Sequence, residues 1–326
     1  MILFRAEGNT ATGLGHIYRI LSIIDIVNYS NIQYTFAITN TSCTAIIPKE
    51  VNIDIIDGED EFRLLFNYRN IGYKLLILDG YQFDSTYQKK AKELGYKILY
   101  IDDLVKEYMY ADAVINHSAG LSPVDFKKSD YTNLYLGPAY SILRKPFLEI
   151  HRTENKIHNQ IFINFGGADP LNILGKVLPW IIELNLFDKI IVVIGKAYGK
   201  DLEELKNEKV SFYQNIEASQ MAFLISSSVV ALVPSSTILY EVCALNRPVI
   251  SGYFVGNQEK IYQGFLDENL IIGVGDFKSL EKRNLISAIL KCFRDQSTIV
   301  EVLNNQKLKF DGKSGERILS IIKSLL

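Results

Sequence analysis

The stretch Gly13-Leu14-Gly15-His16-Ile17-Tyr18-Arg19 follows the apolar run Ile2-Leu3-Phe4 and opens an amphipathic segment reaching to about Tyr29. It reads as strand, glycine turn and helix, with an imidazole at the helix mouth. Glycines at such a turn let backbone approach a ligand closely, and the first-turn N–H groups are donors without a partner inside the helix. An imidazole placed there can do proton chemistry on that ligand near neutral pH. Capping the helix or packing on the surface is its competing role. A dinucleotide fingerprint needs a third glycine where the chain has Tyr18, so nicotinamide or flavin chemistry is not expected.

In parallel α/β sheets ligands bind beyond the carboxyl ends of the strands. The polar residues there are Arg5 and Glu7 leading into His16, then Asp79-Gly80-Tyr81, Asp102-Asp103 and Asn116-His117. Each alone suits a cap or a loop; four strand ends together make a polar pocket fit for a sugar or a similar molecule. Further on, Phe165-Gly166-Gly167-Ala168-Asp169-Pro170 passes from a strand to a helix beginning near Leu171. Its glycines can present N–H groups to a phosphate or diphosphate, with a plain tight turn as the alternative. The loop lacks the G-K-[ST] ending of a P-loop, so triphosphate hydrolysis is not indicated. Pro234-Ser235-Ser236-Thr237-Ile238-Leu239-Tyr240-Glu241 makes a second strand-to-helix passage. Its hydroxyls can cap the helix or share phosphate contacts, and Glu241 can accept from a ribose diol.

Such residues need parallel strands to carry them. Short apolar runs near Ile2-Phe4, Tyr34-Ile38, Ile53-Ile56, Leu75-Asp79, Ile98-Ile101 and Ala113-Asn116 alternate with helical patterns, as in βαβ units. Pro138 to Asn159 breaks the rhythm with two prolines and a charged cluster around His151-Lys156, and reads as a connection. A second set follows at Ile161-Phe165, Ile190-Ile194, Val210-Tyr213, Val229-Val233, Pro248-Ser251 and Leu270-Val274. The α/β architecture expected is two Rossmann-like domains, 1–150 and 151–326, facing each other across a cleft. The pattern of Lys313 to Leu326 predicts a final packing helix with one buried face.

The 326 residues, nearly half of them apolar, suffice for two cores. A net charge of −2 with both signs interspersed leaves no basic footprint for nucleic acid or an anionic membrane. Cys43, Cys243 and Cys292 lack disulfide-framework or zinc spacing. With no leader pattern and no apolar stretch of spanning length, a cytoplasmic chain is expected.

Taken together the motifs resemble the UDP-2,4-diacetamido-2,4,6-trideoxy-β-L-altropyranose hydrolases of pseudaminic acid biosynthesis (PseG), relatives of the MurG-like GT-B glycosyltransferases. The resemblance runs over nearly the full length. It is carried by Phe4-Arg5-Ala6-Glu7-Gly8-Asn9 leading to Gly13-Leu14-Gly15-His16 and Arg19, by Asp79-Gly80-Tyr81, Asp102-Asp103 and Leu136-Gly137-Pro138, and by Phe165 to Asn172. Ser236-Thr237 with Glu241, Asn257-Gln258, and Asp311-Gly312-Lys313-Ser314-Gly315 with Arg317 complete it. Glu7 stands where that family has aspartate, and Pro234-Ser235 where it has glycine before Ser-Thr.

The resemblance implies a GT-B fold with the sugar on the N-terminal domain, UDP on the C-terminal one and reaction in the cleft between them. His16 matches the catalytic histidine, Tyr81 and Asn257 match substrate-site positions, and Glu241 matches the ribose-binding acid. The substrate-binding set expected is Gly15, Arg19, Asp79, Tyr81, Asp102, Asn116, Gly166, Gly167, Ser236, Thr237, Glu241, Asn257 and Gln258. UDP leaves as a stable anion, so the paired carboxylates of glycosidases are not required. No cofactor or metal is expected, and the only partner is the small-molecule UDP-sugar, bound by a monomer. A GT-B glycosyltransferase using the same donor is the rival reading, and a nucleotide-sugar binding protein without turnover the third.

Overall fold

The computed structural model describes residues 1–9, 14–56, 61–149, 156–195 and 197–326; Gly13 and the charged residues 151–155 lie outside them. The chain divides into two compact units, one of Met1–Lys145 with Lys313–Leu326 and the other of Pro146–Gly312.

The first unit contains β1 (Ile2–Ala6), α1 (Gly15–Asn28), β2 (Tyr34–Thr39), β3 (Ile53–Ile56), α2 (Glu61–Asn70), β4 (Leu75–Asp79), α3 (Ser85–Glu93), β5 (Lys97–Ile101), β6 (Ala113–Asn116) and β7 (Asn133–Leu136). Its strands are parallel, in the order β3-β2-β1-β4-β5-β6-β7. Successive strand side chains point to opposite faces, and here both faces are covered. Phe4, Ala6, Leu75, Ile77, Leu99, Ile101 and Ile115 pack with Ile17, Ile20 and Ile24 of α1. Leu3, Leu76, Leu78, Ile98, Tyr100 and Val114 pack on the other side with Phe83, Tyr87 and Ala91. Burial on both faces explains why these strands read as near-continuous apolar runs.

Beginning at the boundary residue, α4 (Lys145–Glu149) leads into β8 (His158–Ile163), α5 (Ile173–Leu184), β9 (Lys189–Ile194), β10 (Val210–Gln214), α6 (Ala218–Ser226) and β11 (Ser228–Pro234). Then come α7 (Thr237–Ala244), β12 (Val249–Tyr253), α8 (Gly256–Asp267), β13 (Ile272–Asp276), α9 (Lys282–Arg294) and α10 (Gln296–Lys309). This second sheet is also parallel, in the order β10-β9-β8-β11-β12-β13.

The last helix, α11 (Ser314–Leu325), does not close the second unit as expected. Its Ile318, Ile321 and Ile322 complete the α1-side core of the first unit, and Arg317 Nη1 donates to the Ala139 carbonyl at 3.1 Å. The boundary therefore falls after Lys145 rather than residue 150, and residues 313–326 return to the first unit. An amphipathic pattern says that one face is buried without saying against what. Among the described residues no helix is long and apolar enough to cross a membrane.

Candidate active site

In the first sheet, strand order runs outward from β1 through β2 in one direction and from β4 through β5 in the other, so the topological switch lies between β1 and β4. Ala6 and Asp79 are register partners at the ends of these two strands. Asp79 shares the face of Leu75 and Ile77, the face that α1 covers. That parity brings its carboxylate to the first turn of α1, where His16 and Arg19 stand one turn apart.

The contacts there are short and mutually exclusive in their protons. His16 Nδ1 lies 2.6 Å from Asp79 Oδ1. Arg19 Nε donates to Asp79 Oδ2 at 2.8 Å and Arg19 Nη2 to Asp79 Oδ1 at 2.6 Å. Arg19 also grips Asp103, Nη1 to Oδ1 at 2.6 Å and Nη2 to Oδ2 at 2.8 Å. A carboxylate only accepts, so its bond to His16 requires the proton on Nδ1. The 2.8 Å approach of Arg19 Nη2 to the same nitrogen is then a contact between two donors that share Asp79 as acceptor. With Nδ1 protonated, Nε2 carries the imidazole lone pair. The Tyr81 ring stands edge-on to His16, with centroids 4.9 Å apart and planes at 89°, and fixes the imidazole from the solvent side.

Burial opposes the charge on Arg19, but Asp103 and Asp79 outweigh it and hold the guanidinium pKa well above its usual value. Burial likewise works to raise the Asp103 pKa, but the charge and hydrogen bonds of Arg19, with His117 and His16 nearby, keep it at about 2. His117 sits buried close to this cluster, and burial first, then the charge of Arg19, lowers its pKa to about 4 against the pull of Asp103 and Asp79. Two acid-limb effects follow by linkage. As pH falls from 6.5 toward 4, the unfolded chain takes up a proton that folded His117 refuses, so stability drops. Between about 4 and 2 the Asp103 contribution, roughly 2 kcal/mol, is lost in turn as its carboxylate protonates. Urea unfolding midpoints measured across this range should show both steps, and His117→Asn should erase the first alone; an unchanged slope between pH 6.5 and 4 would contradict the assignment.

Asp102 and Asn116, expected to touch substrate, face the opposite side of the sheet and are buried. Asp102 accepts from the Leu104 and Val105 amides at 3.2 and 3.0 Å and from Asn116 Nδ2 at 2.9 Å. Asn116 Oδ1 in turn accepts from the Ser118 amide at 3.0 Å. These bonds hold a strained turn, for Val105 is a β-branched residue at φ 55°, and the turn presents Asp103 to Arg19. Asp102→Ala should therefore speed hydrogen exchange at the Leu104 and Val105 amides while leaving nucleotide affinity unchanged; a loss of affinity would restore a substrate contact. Arg19 and Asp79 also turn their polar atoms on the protein and act as the mount of His16. Arg5 belongs to a separate buried network on the other face, donating to Glu61 at 2.7 Å, Glu7 at 3.0 Å and the Ala37 carbonyl at 2.9 Å.

In the second sheet the switch falls between β8 and β11. The loop after β8 is shaped by Asn164, whose Nδ2 donates to the Val193 carbonyl at 2.9 Å while its Oδ1 accepts from the Gly166 amide at 3.0 Å. A Cβ on Gly195 would stand 2.4 Å from Gly167 Cα, so the loop after β9 presses on it; Cβ atoms on Gly166 and Gly167 would meet open space. The mouth of α5 is already filled, since the Asp169 carboxylate accepts from the Ile173 and Leu174 amides, each at 2.9 Å. Any anion at this loop meets backbone of the glycines rather than the helix end. Helices α7 and α8 have no side-chain cap. Ser236 is half-buried and Thr237 exposed at the first, and Glu241 is buried one turn inside. Ser235 faces inward, its Oγ 2.9 Å from Ser251 Oγ. At α8, Gly256 and Asn257 are exposed, whereas Gln258 is buried and accepts from the Phe254 amide at 3.1 Å. Among the described residues no three His, Cys, Asp or Glu side chains are grouped as metal ligands.

No protein-family model matches the sequence. Two relatives match over most of the chain. Uncharacterized protein MJ1062 of Methanocaldococcus jannaschii is 26% identical over 340 residues, covering 93% of this chain and 70% of that protein. Spore coat polysaccharide biosynthesis protein SpsG of Bacillus subtilis is 25% identical over 335 residues, covering 98% and 97%. Among solved structures, MurG of Acinetobacter baumannii superposes with a TM-score of 0.69 at 10% identity over 99% of both chains. CalG4, the calicheamicin glycosyltransferase, gives 0.67 at 11% identity over 100% of this chain and 98% of that one. The UDP-GlcNAc 2-epimerase of M. jannaschii gives 0.61 at 15% identity over 99% and 98%. The fold is that of the GT-B glycosyltransferases.

In this GT-B chain the two switch points carry different equipment. The first unit holds an imidazole–carboxylate pair braced by Arg19 and Asp103; the second holds glycine backbone and helix mouths without side-chain caps. Asp103 and His117, placed among the polar strand-end residues but left out of the expected substrate-binding set, belong to this cluster, and a signal for both was present. Counting alternation past the strand ends puts Asp103 on the face of Leu99 and Ile101, and His117 on that of Ala113 and Ile115. The same count puts Asp102 and Asn116 on the other face.

Proposed function

We propose that this chain hydrolyses a UDP-sugar, UDP-2,4-diacetamido-2,4,6-trideoxy-β-L-altropyranose, to UDP and 2,4-diacetamido-2,4,6-trideoxy-L-altrose, a step of pseudaminic acid biosynthesis. The observation that carries the reading is the His16–Asp79 pair at 2.6 Å, which leaves Nε2 as a base. The motif resemblance selects the sugar; the polysaccharide role in the name of the SpsG relative and the UDP-sugar in that of the M. jannaschii epimerase agree with it.

In this reading His16 Nε2 takes a proton from water as the water oxygen attacks the anomeric carbon. The bond from that carbon to the diphosphate oxygen breaks, its electron pair leaves with UDP, and attack from the opposite side inverts the centre. Asp79 and Arg19 keep His16 in the required tautomer, and the imidazolium that forms turns a net −1 cluster of Arg19, Asp79 and Asp103 neutral. Gly15 and Tyr81 serve the sugar, and Asn257 is a further substrate-site residue of the second unit. Gly166, Gly167, Ser236 and Thr237 offer donors to the diphosphate, and Glu241 accepts from the ribose. The N-terminal unit is the sugar-binding one and the C-terminal unit the UDP-binding one.

A glycosyltransferase, with His16 deprotonating an acceptor hydroxyl, is the second reading, favoured by the CalG4 likeness. Incubating the chain with UDP-sugars and measuring UDP release with and without acceptors separates them. Release without acceptor supports hydrolysis, acceptor dependence supports transfer, and binding without release sinks both. In heavy-oxygen water the label should enter the sugar; label in UDP would mean attack at phosphorus.

A further inference from the structure

Beneath the Gly166-Gly167 loop lies a small cavity lined by Asn164, Gly166, Asp169, Leu174, Val193 and Tyr198, with no room for a water molecule. Tyr198 is 7% exposed, and among the described residues its hydroxyl has no hydrogen-bond partner. The polar side chains that line the cavity with it are bonded to backbone instead. Both oxygens of Asp169 hold the first amides of α5, and Asn164 spends its amide on Val193 and Gly166. Burial, with Asp169 near, raises the hydroxyl pKa, so the group stays a neutral donor. A buried donor without an acceptor weakens the free fold, and a phenylalanine of the same shape would avoid that cost.

Gly166 holds φ +83°, and Cβ atoms on either glycine would meet open space, so neither lack of a side chain is demanded by packing at that residue. Backbone there is open to an anion, and the α5 mouth cannot take it.

We propose that Tyr198 is a nucleotide-binding residue: a nucleoside diphosphate settling on the Gly166-Gly167 loop shifts that loop and receives the Tyr198 O–H as a hydrogen bond to a diphosphate oxygen. The inference rests on the nucleotide-sugar reading above and adds a residue to it. The hydroxyl is unsatisfied in the free protein and satisfied in the complex, so its removal has opposite signs in the two states.

The test is Tyr198→Phe in the full chain, with the Kd for UDP measured by calorimetry and the Tm of the free protein by scanning calorimetry. The Kd should weaken about tenfold while the Tm holds or rises. An unchanged Kd overturns the proposal and leaves the proposed function standing. A lower Tm overturns it too, because the hydroxyl would then be bonded in the free protein. If the wild-type chain binds none of UDP, ADP or GDP, this inference and the proposed function fall together.

Discussion

His16→Asn is expected to fold, to bind UDP as the wild type does, and to lose about 10²- to 10⁴-fold in kcat for UDP release, the usual worth of a positioned general base. Asparagine can still offer an N–H toward Asp79, so the clasp of Arg19 on Asp79 and Asp103 has no reason to open. What disappears is the basic Nε2. The effect should fall on kcat with KM little changed, because the proton transfer belongs to the transition state. Steady-state UDP release, with UDP affinity measured alongside, provides the check. A kcat within tenfold of wild type would exclude His16 as the base.

Arg19→Met should cost about 3–5 kcal/mol of folding stability, the scale of stranding buried charge by removing one partner. Asp79 is fully buried and would lose two of the three bonds at its carboxylate. Asp103 would lose the cation that keeps its pKa at about 2. Two carboxylates left facing each other raise each other's pKa, so the penalty should shrink on acidification as one takes up a proton. Urea unfolding at pH 7 and pH 4 measures both. Adding Asp79→Asn to the Arg19 variant should recover part of the loss; a loss under about 1 kcal/mol, or no recovery, would show that the clasp is not what holds this corner together.

Much of the fold was legible because parallel strands covered on both faces write long apolar runs. Leu75-Leu76-Ile77-Leu78 ending on Asp79 announces both the strand and the site at its end. The strand β7 was not legible: Asn133–Leu136 is short, at the sheet edge and only half-buried, and it falls just before Pro138, where the apolar rhythm breaks. Two features of the site were hidden for other reasons. The Gly166-Gly167 loop looked like a helix-mouth cradle, but Asp169 stands within reach of the first amides and fills that mouth itself, as an aspartate before a helix tends to do. Asp102 and Asp103 differ by one residue and therefore by sheet face, a distinction that composition alone cannot draw but alternation can. Gly15, where a Cβ would meet open space, has no packing reason among the described residues to be glycine.

The return of α11 to the first unit also sets an order of events on the ribosome. Residues 146–312 are continuous in the chain, so the second unit has all of its parts as soon as they emerge. The first unit has been synthesised through β7 long before, yet the face of α1 that packs against Ile318, Ile321 and Ile322 stays open until residues 313–326 follow. The half of the molecule made first is thus the half completed last, and during that interval an apolar helix face beside His16 is exposed to whatever chaperone or neighbouring chain meets it.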